Sequence, residues 1–414
     1  MEDNNVVVIK AKPVRKIVRA TKSNKIPEAI LQDRVLQHAI QELPSNYNFE
    51  IFKTIWRIQE SKAKTVALQM PEGLLMYSTM ICDIIRKFTA ADTCIMGDVT
   101  YGACCIDDLT ARALNVDLLV HYGHSCLIPM DIKTGLKVLY VFVDIKIDPL
   151  HFINTVQRNF TTDKKIYLVS TIQFVATLQA VASELQKLNY NISVPQYRPL
   201  SPGEILGCTA PTLEGMDIII YLGDGRFHLE AAMIANSKFE AYRYDPYSKI
   251  FTREHYQHDK MKHIRYESIC KARSAGKFGV IMGTLGRQGN AKVVDYIRNR
   301  LDCYQKDNVI ILLSEIYPNK LDLFKGIEAF VQIACPRLSI DWGGSFKRPL
   351  LNPYEIAVAL GDTEWCTEKQ NTSYPMDFYA NDSLGLWTPN HKLKSDCLNS
   401  GECCGKCIKE NSLK

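Results

Sequence analysis

Three cysteines lie far apart in the chain, each beside small residues: Tyr101-Gly-Ala-Cys104, Leu206-Gly-Cys208-Thr-Ala-Pro211 and Ile333-Ala-Cys335-Pro-Arg337. Thiolate is a soft ligand suited to zinc and iron, and Gly or Ala beside it lets backbone approach a bulky inorganic group. Brought together, three thiolates are one short of the four that close an iron–sulfur cube, so one iron would stay open to a substrate. The bland reading is three unrelated core thiols, because free cysteine often behaves as a small buried hydrophobe. Cys105 is a rival to Cys104, since adjacent side chains do not both face one centre easily.

The other cysteines sort by setting. Cys82 on a helical face, Cys94 in a strand, and Cys270 and Cys303 in helical stretches read as small buried hydrophobes. Cys126, in His124-Ser-Cys126 at a strand end, suits either a site or a core. Near the end of the chain, Cys404-Gly-Lys-Cys407 has the C-x-x-C spacing that zinc or iron favours. Cys397 and Cys403 do not make a second such pair, so a mobile tail with opportunistic metal binding is the expectation.

For distant thiols to meet, strands must deliver their loops to one place. From Lys64 the chain alternates strand, turn and helix in three rounds. The first opens with the strand Thr65 to Met70, a turn at Pro71-Glu-Gly73 and a helix through Ile81, Ile84 and Ile85. Strands follow at Cys94 to Gly97, Leu118 to His121 and Val138 to Val143. The second opens at Ile166 to Ser170 with a helix from Ala176 to Leu188, then strands near Ile192 to Val194 and Asp217 to Gly223. The third opens at Phe278 to Gly283 with a helix from Ala291 to Leu301. The strand Val309 to Leu313, a helix through Leu321 and Phe324, and a strand from Phe330 to Ala334 complete it.

Apolar strands between amphipathic helices predict parallel sheets covered on both faces. The fold class is therefore α/β, as three similar small domains. The boundaries are 1–61 for a basic tail and N-terminal helices, 62–162 for the domain of Cys104, 163–275 for that of Cys208 and 276–365 for that of Cys335. Residues 366–414 form a C-terminal extension ending in the cysteine-rich tail. Two helical patterns precede the first domain: one stripe from Ile30 to Leu43, another through Phe52, Ile55 and Ile58.

Ligands in open α/β sheets gather beyond the carboxyl ends of the strands. Glycine-bearing loops fall there at Pro71-Glu-Gly73, Gly97 to Gly102, Tyr122-Gly-His124, Gly223-Asp-Gly225 and Gly283 to Gly289. The last lacks the Gly-Lys-Ser/Thr ending of a phosphate loop, which argues against nucleotide triphosphate. One asymmetry stands out: Cys104 and Cys208 precede a buried strand, whereas Cys335 ends one.

Composition sets the outer bounds. Over 414 residues, 46% hydrophobic and 23% charged side chains describe an ordinary globular chain. A net charge of +5 permits an acidic partner without demanding one, and direct nucleic-acid binding is not expected. The early basic run, Lys10 to Lys25, reads as a solvated tail. No signal peptide is visible and the apolar runs are strand-sized, so a cytoplasmic protein without membrane contact is expected. There the 14 cysteines are reduced thiols or ligands, and the sequon Asn371-Thr-Ser373 is idle.

The ordered motifs carry a resemblance. Gln69-Met-Pro-Glu-Gly-Leu74, Gly97-Asp-Val-Thr-Tyr-Gly-Ala-Cys-Cys105, His121-Tyr-Gly-His-Ser-Cys126, Leu206-Gly-Cys-Thr-Ala-Pro211 and Ala334-Cys-Pro-Arg337 resemble the first-subunit branch of the 2-(3-amino-3-carboxypropyl)histidine synthases. That family performs the first step of diphthamide biosynthesis. The resemblance runs from about residue 60 to about 360, with Tyr374-Pro-Met-Asp377 and Trp387-Thr-Pro389 also familiar. It implies three domains in a pseudo-threefold triangle around a [4Fe–4S] cluster, with ligands at Cys104, Cys208 and Cys335. The family lacks the C-x-x-x-C-x-x-C run of ordinary radical enzymes, and so does this chain.

The implied chemistry is reductive cleavage of S-adenosylmethionine at the open iron. The 3-amino-3-carboxypropyl radical then adds to carbon 2 of a histidine on translation elongation factor 2, leaving methylthioadenosine. The implied partners are a sister subunit in a heterodimer, the elongation factor and a small iron-binding electron donor. By position, Arg287 and Arg337 suit the methionyl carboxylate, and Gln69, His124 and Asp341 complete the pocket; a structural salt bridge or turn is the bland reading for each. The rival readings are a quinolinate-synthase-like dehydratase, a non-catalytic cluster-bearing scaffold subunit and a zinc-only protein.

Overall fold

The computed structural model describes residues 25–98, 100–128, 136–215, 217–366 and 373–391. Nearly all of the basic run, the sequon asparagine and the cysteines from Cys397 to Cys407 lie outside the described residues.

Three mostly parallel sheets follow one another along the chain, and their strand order repeats. In the first, Asp92–Met96, Thr65–Gln69, Leu118–Tyr122 and Lys137–Val141 lie side by side, all parallel. In the second the order is Asn191–Ser193, Lys165–Ser170, Ile218–Leu222 and Glu240–Tyr244, with Phe251–Glu254 added antiparallel at the edge. The third runs Asp307–Leu313, Lys277–Gly283, Ala329–Ile333 and Leu350–Leu351. Counted within each unit, the order is second, first, third, fourth. The direction of winding reverses between first and third strands, which is where α/β sheets open a crevice.

The repetition reaches single side chains. Asp117 accepts hydrogen bonds from the Lys64 and Thr65 amides at 2.8 and 3.0 Å. Asp217 accepts from the Lys165 amide at 3.0 Å, and Glu328 from the Gly276 amide at 2.6 Å. Each carboxylate stands just before its unit's third strand and lies 52 residues beyond an amide at the start of the first. A shared device at a shared spacing is the mark of related units.

Burial explains the apolar strands. Val66 and Leu68 join the helix residues Ile81, Ile84 and Ile85 on one face of the first sheet, while Ala67 and Leu119 meet Ile106 and Ala111 on the other. The N-terminal helix Ile51–Ser61 sends Ile51, Ile55 and Ile58 into the first of these cores. The stripe expected from Ile30 to Leu43 is two short helices, Glu28–Leu31 and Arg34–Ile40. Asp33 caps the second by accepting from the Val35 and Leu36 amides, which ends the first.

Other expectations need correction. The helix through Leu321 and Phe324 is a single turn, Pro318–Leu321, begun by proline. The strand Asp307–Leu313 is an edge strand, so Val309, Ile310 and Leu312 are exposed rather than buried. Cys270 and Cys303 are on helices but on their solvent sides, not in the core; Cys82 is buried as expected. Among the described residues no helix is long and apolar enough to cross a membrane.

Polar joints link every pair of units. Ser125 donates to Glu204 at 2.6 Å between the first and second. Arg287 clasps Asp108 between the third and first, and Arg337 clasps Glu230 between the third and second. The segment 373–391 crosses these joints, bridging Asp377 to Thr209 of the second unit.

Arg265, on the helix His258–Arg273, and Glu355 of the third unit form a fully buried pair at 2.6 Å, and Glu355 also accepts from Tyr374 and the Asn352 amide. Removing one member of such a pair strands a charge in low dielectric, costing about 3–5 kcal/mol. Glu355→Ala should therefore lower the urea midpoint sharply, by far more than Glu240→Ala at the exposed Arg253 pair. Equal shifts would show that the buried network is not what holds this unit.

Candidate metal centre

Each of the three cysteines sits at the carboxyl edge of its sheet, held by a different local device. Cys104 lies in the single turn Ala103–Cys105, and the backbone of the loop after Lys277–Gly283 lies against it. The Arg287 amide donates to the Cys104 carbonyl at 2.8 Å. Gly286 has φ +54°, and a Cβ there would fall 2.5 Å from the Cys105 backbone, so only glycine permits this contact.

Cys208 lies in a tight turn closed by the Leu206 amide on the Thr209 carbonyl at 2.9 Å. Gly207 beside it leaves room for the Phe227 ring, which a Cβ would meet at 2.0 Å. Cys335 is the first residue before the helix Pro336–Trp342, where helix amides face the thiol. The asymmetry read from sequence has a topological form: Cys104 and Cys208 lie between second and third strands, and Cys335 follows the third directly.

The thiols act on one another. Cys104 is held well above the ordinary thiol range by its contact with Cys105, then by burial, then by Cys105, Cys208 and Cys335 as neighbouring charges. Burial pushes Cys208 up to about 12, with Cys335 adding to it. Cys335 is raised by burial, against the pull of the Arg337 amide and cation. All three are half-buried; Cys104 and Cys208 pack against one apolar cluster, and Cys104 senses both Cys208 and Cys335, so the three thiols lie near one another.

Cys105 differs. Its sulfur is lowered to about 6 by the contact with Cys104, helped by the Tyr101 and Gly102 amides and the Gln288 side chain at 3.5 Å. Protein donors serve that sulfur, as Thr209 Oγ1 serves Cys208 at 3.9 Å and the Arg337 and Leu338 amides serve Cys335. Among the described residues no three His, Cys, Asp or Glu side chains meet closely enough for one metal ion. Thiols that sense each other across a wider space suit separate irons of one cluster, and this donor set fits such a group.

A chain of neutral imidazoles lies behind the Cys105 backbone. Gln69 accepts from the Asp107 amide and lies 2.9 Å from His121 Nδ1, and its own amide donates to the Cys105 carbonyl at 2.9 Å. This network assigns the His121 proton to Nδ1 and makes Nε2 the acceptor for His124 Nδ1 at 3.0 Å. His124 Nε2 is then a bare acceptor. His121 is lowered to about 3 by burial and then by His124; His124 is lowered to about 4 by burial and then by His228. His228, also lowered to about 4 by burial and then by Arg337, was not singled out in the sequence. The only signal for it is the loop Gly223-Asp-Gly225, which ends at its helix, Phe227–Ala235.

The two arginines are tied to protein. Arg337 gives Nε to both oxygens of Asp341 at 3.0 Å, Nη1 to the Gly207 and Phe227 carbonyls, and Nη2 to Glu230 at 2.6 Å and to Asp341. Its guanidinium, 2% exposed, lies over the Phe227 ring. All five of its N–H groups are engaged, so it has none to spare for a ligand. Arg287 uses Nε and Nη2 on Asp108 at 2.6 and 2.7 Å and turns Nη1 away from that pair.

Residues 70–370 match the family model described as putative diphthamide synthesis protein. The chain belongs to that family. Proteins named 2-(3-amino-3-carboxypropyl)histidine synthase subunit 1 bear out the resemblance read from the motifs. The Gallus gallus protein is 59% identical, covering 90% of each chain. That of Homo sapiens is 58% identical over 90% of this chain and 84% of its own, and that of Nematostella vectensis 55% identical over 94% and 88%. Among solved structures, Dph2 from Pyrococcus horikoshii with a 4Fe-4S cluster has the same fold: TM-score 0.66 at 24% identity, covering 80% of this chain and 94% of that one.

The imidazoles set a pH dependence. An unfolded histidine takes its proton near 6.5, whereas these accept one only near 3 or 4. Between those values the unfolded chain binds more protons, so stability is full above about pH 6.5 and falls toward pH 4. The urea midpoint of the metal-free protein should drop from pH 7.5 to pH 5, and His228→Gln should shrink that drop. A drop of the same size in the variant would assign the loss to other groups.

Proposed function

We propose that this chain is the catalytic, cluster-bearing subunit of an aminocarboxypropyl transferase. It moves the 3-amino-3-carboxypropyl group from S-adenosylmethionine to carbon 2 of a histidine on translation elongation factor 2, the first step of diphthamide synthesis. The observation that carries this reading is one thiol from each unit brought near the other two, in a chain whose relatives at 55–59% identity bear the synthase name. The joints between each pair of units support the triangular arrangement and the proposed domain boundaries.

Cys104, Cys208 and Cys335 would hold the cluster. When bound, a [4Fe–4S] group supplies the electron for radical cleavage of the sulfonium, without a fourth protein ligand. The chain's own part is holding and shielding. Arg287, through Nη1, is placed to meet the methionyl carboxylate, while Arg337 and Asp341 hold the Cys208 and Cys335 loops in register. His124, kept neutral, would offer Nε2 as an acceptor, and Gln69 fixes the imidazole chain behind it. Replacing hydrogen at carbon 2 requires a proton and one electron to leave, the electron balancing the one spent on cleavage. Imidazoles that take a proton only near 3 or 4 serve there as hydrogen-bond acceptors rather than as the base.

The name subunit 1 on the relatives supports a second subunit. The cytoplasm, the elongation factor and a small iron-binding electron donor complete the reading.

The test is anaerobic reconstitution with iron and sulfide, then S-adenosylmethionine and reductant, with methylthioadenosine as readout. Cys208→Ala should abolish both the brown absorbance and methylthioadenosine release, whereas Cys105→Ala should keep its iron. Release that survives without iron would reject the cluster's role. With the sister subunit and elongation factor 2 added, product mass on the factor completes the test.

A further inference from the structure

The segment 373–391 packs beside the thiols, with Phe378 and Tyr379 in the apolar cluster that Cys104 and Cys208 touch. Tyr374 anchors it to the third unit, its hydroxyl donating to Glu355 at 2.9 Å and accepting from Asn352 at 2.6 Å. The Ala210 amide donates to the Met376 carbonyl, and Asp377 bridges Thr209, so the chain is led along the Cys208 turn. Tyr379 follows with its backbone held at both ends. Its amide donates to Thr209 Oγ1 at 3.0 Å, and its carbonyl accepts from Asn390 at 2.7 Å.

The ring of Tyr379 is 2% exposed. It packs with Ala103, Leu127, Leu200 and Phe378, with Cys104 and Cys208 against the same cluster. Its phenol lies within electrostatic reach of Cys104 first, then Cys208, Cys335 and Cys105. A buried tyrosine gains little unless its hydroxyl finds a partner, and at neutral pH a phenol is a donor. The groups gathered around this one are sulfurs.

We propose that Tyr379 is a positioning residue of the metal centre: its ring covers Cys104, and its O–H donates a hydrogen bond to sulfur on the Cys104 side of the bound cluster. This rests on the cluster reading above. A donor to sulfur stabilises the more negative, reduced state, so it raises the reduction potential. The strap would thus set how readily the centre accepts its electron, although it lies outside the three sheets that supply the thiols.

Tyr379→Phe keeps the ring and loses only the donor. After anaerobic reconstitution it should carry as much iron and sulfide per chain as the wild type. Its midpoint potential, from a redox titration read by electron paramagnetic resonance, should be more negative, with altered g-values. An unchanged midpoint and spectrum would overturn the hydrogen bond. The cover is tested in metal-free protein by iodoacetamide labelling and peptide mass. Tyr379→Ala should raise labelling of Cys104 several-fold over wild type, while exposed Cys303 stays constant; unchanged Cys104 labelling would overturn the cover. Failure of the wild type to take up iron would instead sink the cluster reading, and the hydrogen bond with it, while the labelling still decides the cover.

Discussion

Arg337 is the constraint on which the centre depends. Its helix begins at Cys335, and its guanidinium reaches the Gly207 carbonyl beside Cys208 and the Glu230 carboxylate behind it. One planar group therefore fixes two of the three cysteine loops relative to each other. A buried ion pair contributes little net stability, because desolvation offsets most of the attraction. What it supplies is register: any shift of one unit against the other leaves a charge unpaired. Arg287 and Asp108 do the same for the Cys104 loop, with Gly286 allowing backbone to meet backbone. The sequence position of both arginines suggests a ligand carboxylate; the structure commits them to joints first.

The thiols they bring together are electrostatically unbalanced. Burial raises all three, Cys208 and Cys335 add to the rise of Cys104 and Cys335 to that of Cys208, and the nearby histidines are held neutral. Ionising those sulfurs together is unfavourable unless positive charge arrives with the ligand, which is what a metal cluster brings. The Cys105 sulfur, lowered rather than raised, takes the Gln288 side chain and the Tyr101 and Gly102 amides as donors, whereas its neighbour Cys104 is raised. Adjacent residues of one type thus take different roles because their hydrogen-bond partners differ.

Legibility followed burial. Strands such as Ile218–Leu222 stand out as continuous apolar runs because both sheet faces are covered. Glu240–Tyr244 and Phe251–Glu254, toward and at a polar edge, lack that signature. The helices Phe227–Ala235 and Pro353–Leu360 are buried on nearly all sides and show no stripe for periodicity to detect. The carboxylates Asp117, Asp217 and Glu328 share their spacing in the sequence, yet nothing local marks them. Their meaning is a contact with an amide 52 residues away.

By itself the sequence determined three α/β rounds, the strand ends where loops gather and a cysteine at one such loop in each round. Those are local properties, written in apolar spacing and small residues. Only the tertiary structure decided that Cys105 meets Gln288, that Arg337 is fully engaged, that His228 lies near His124 and Arg337, and that Tyr379 packs beside Cys104. Each depends on who satisfies a buried donor or acceptor. The partners lie as far apart as Arg287 and Asp108, 179 residues, or Tyr379 and Thr209, 170 residues. No periodicity along the chain records such a meeting.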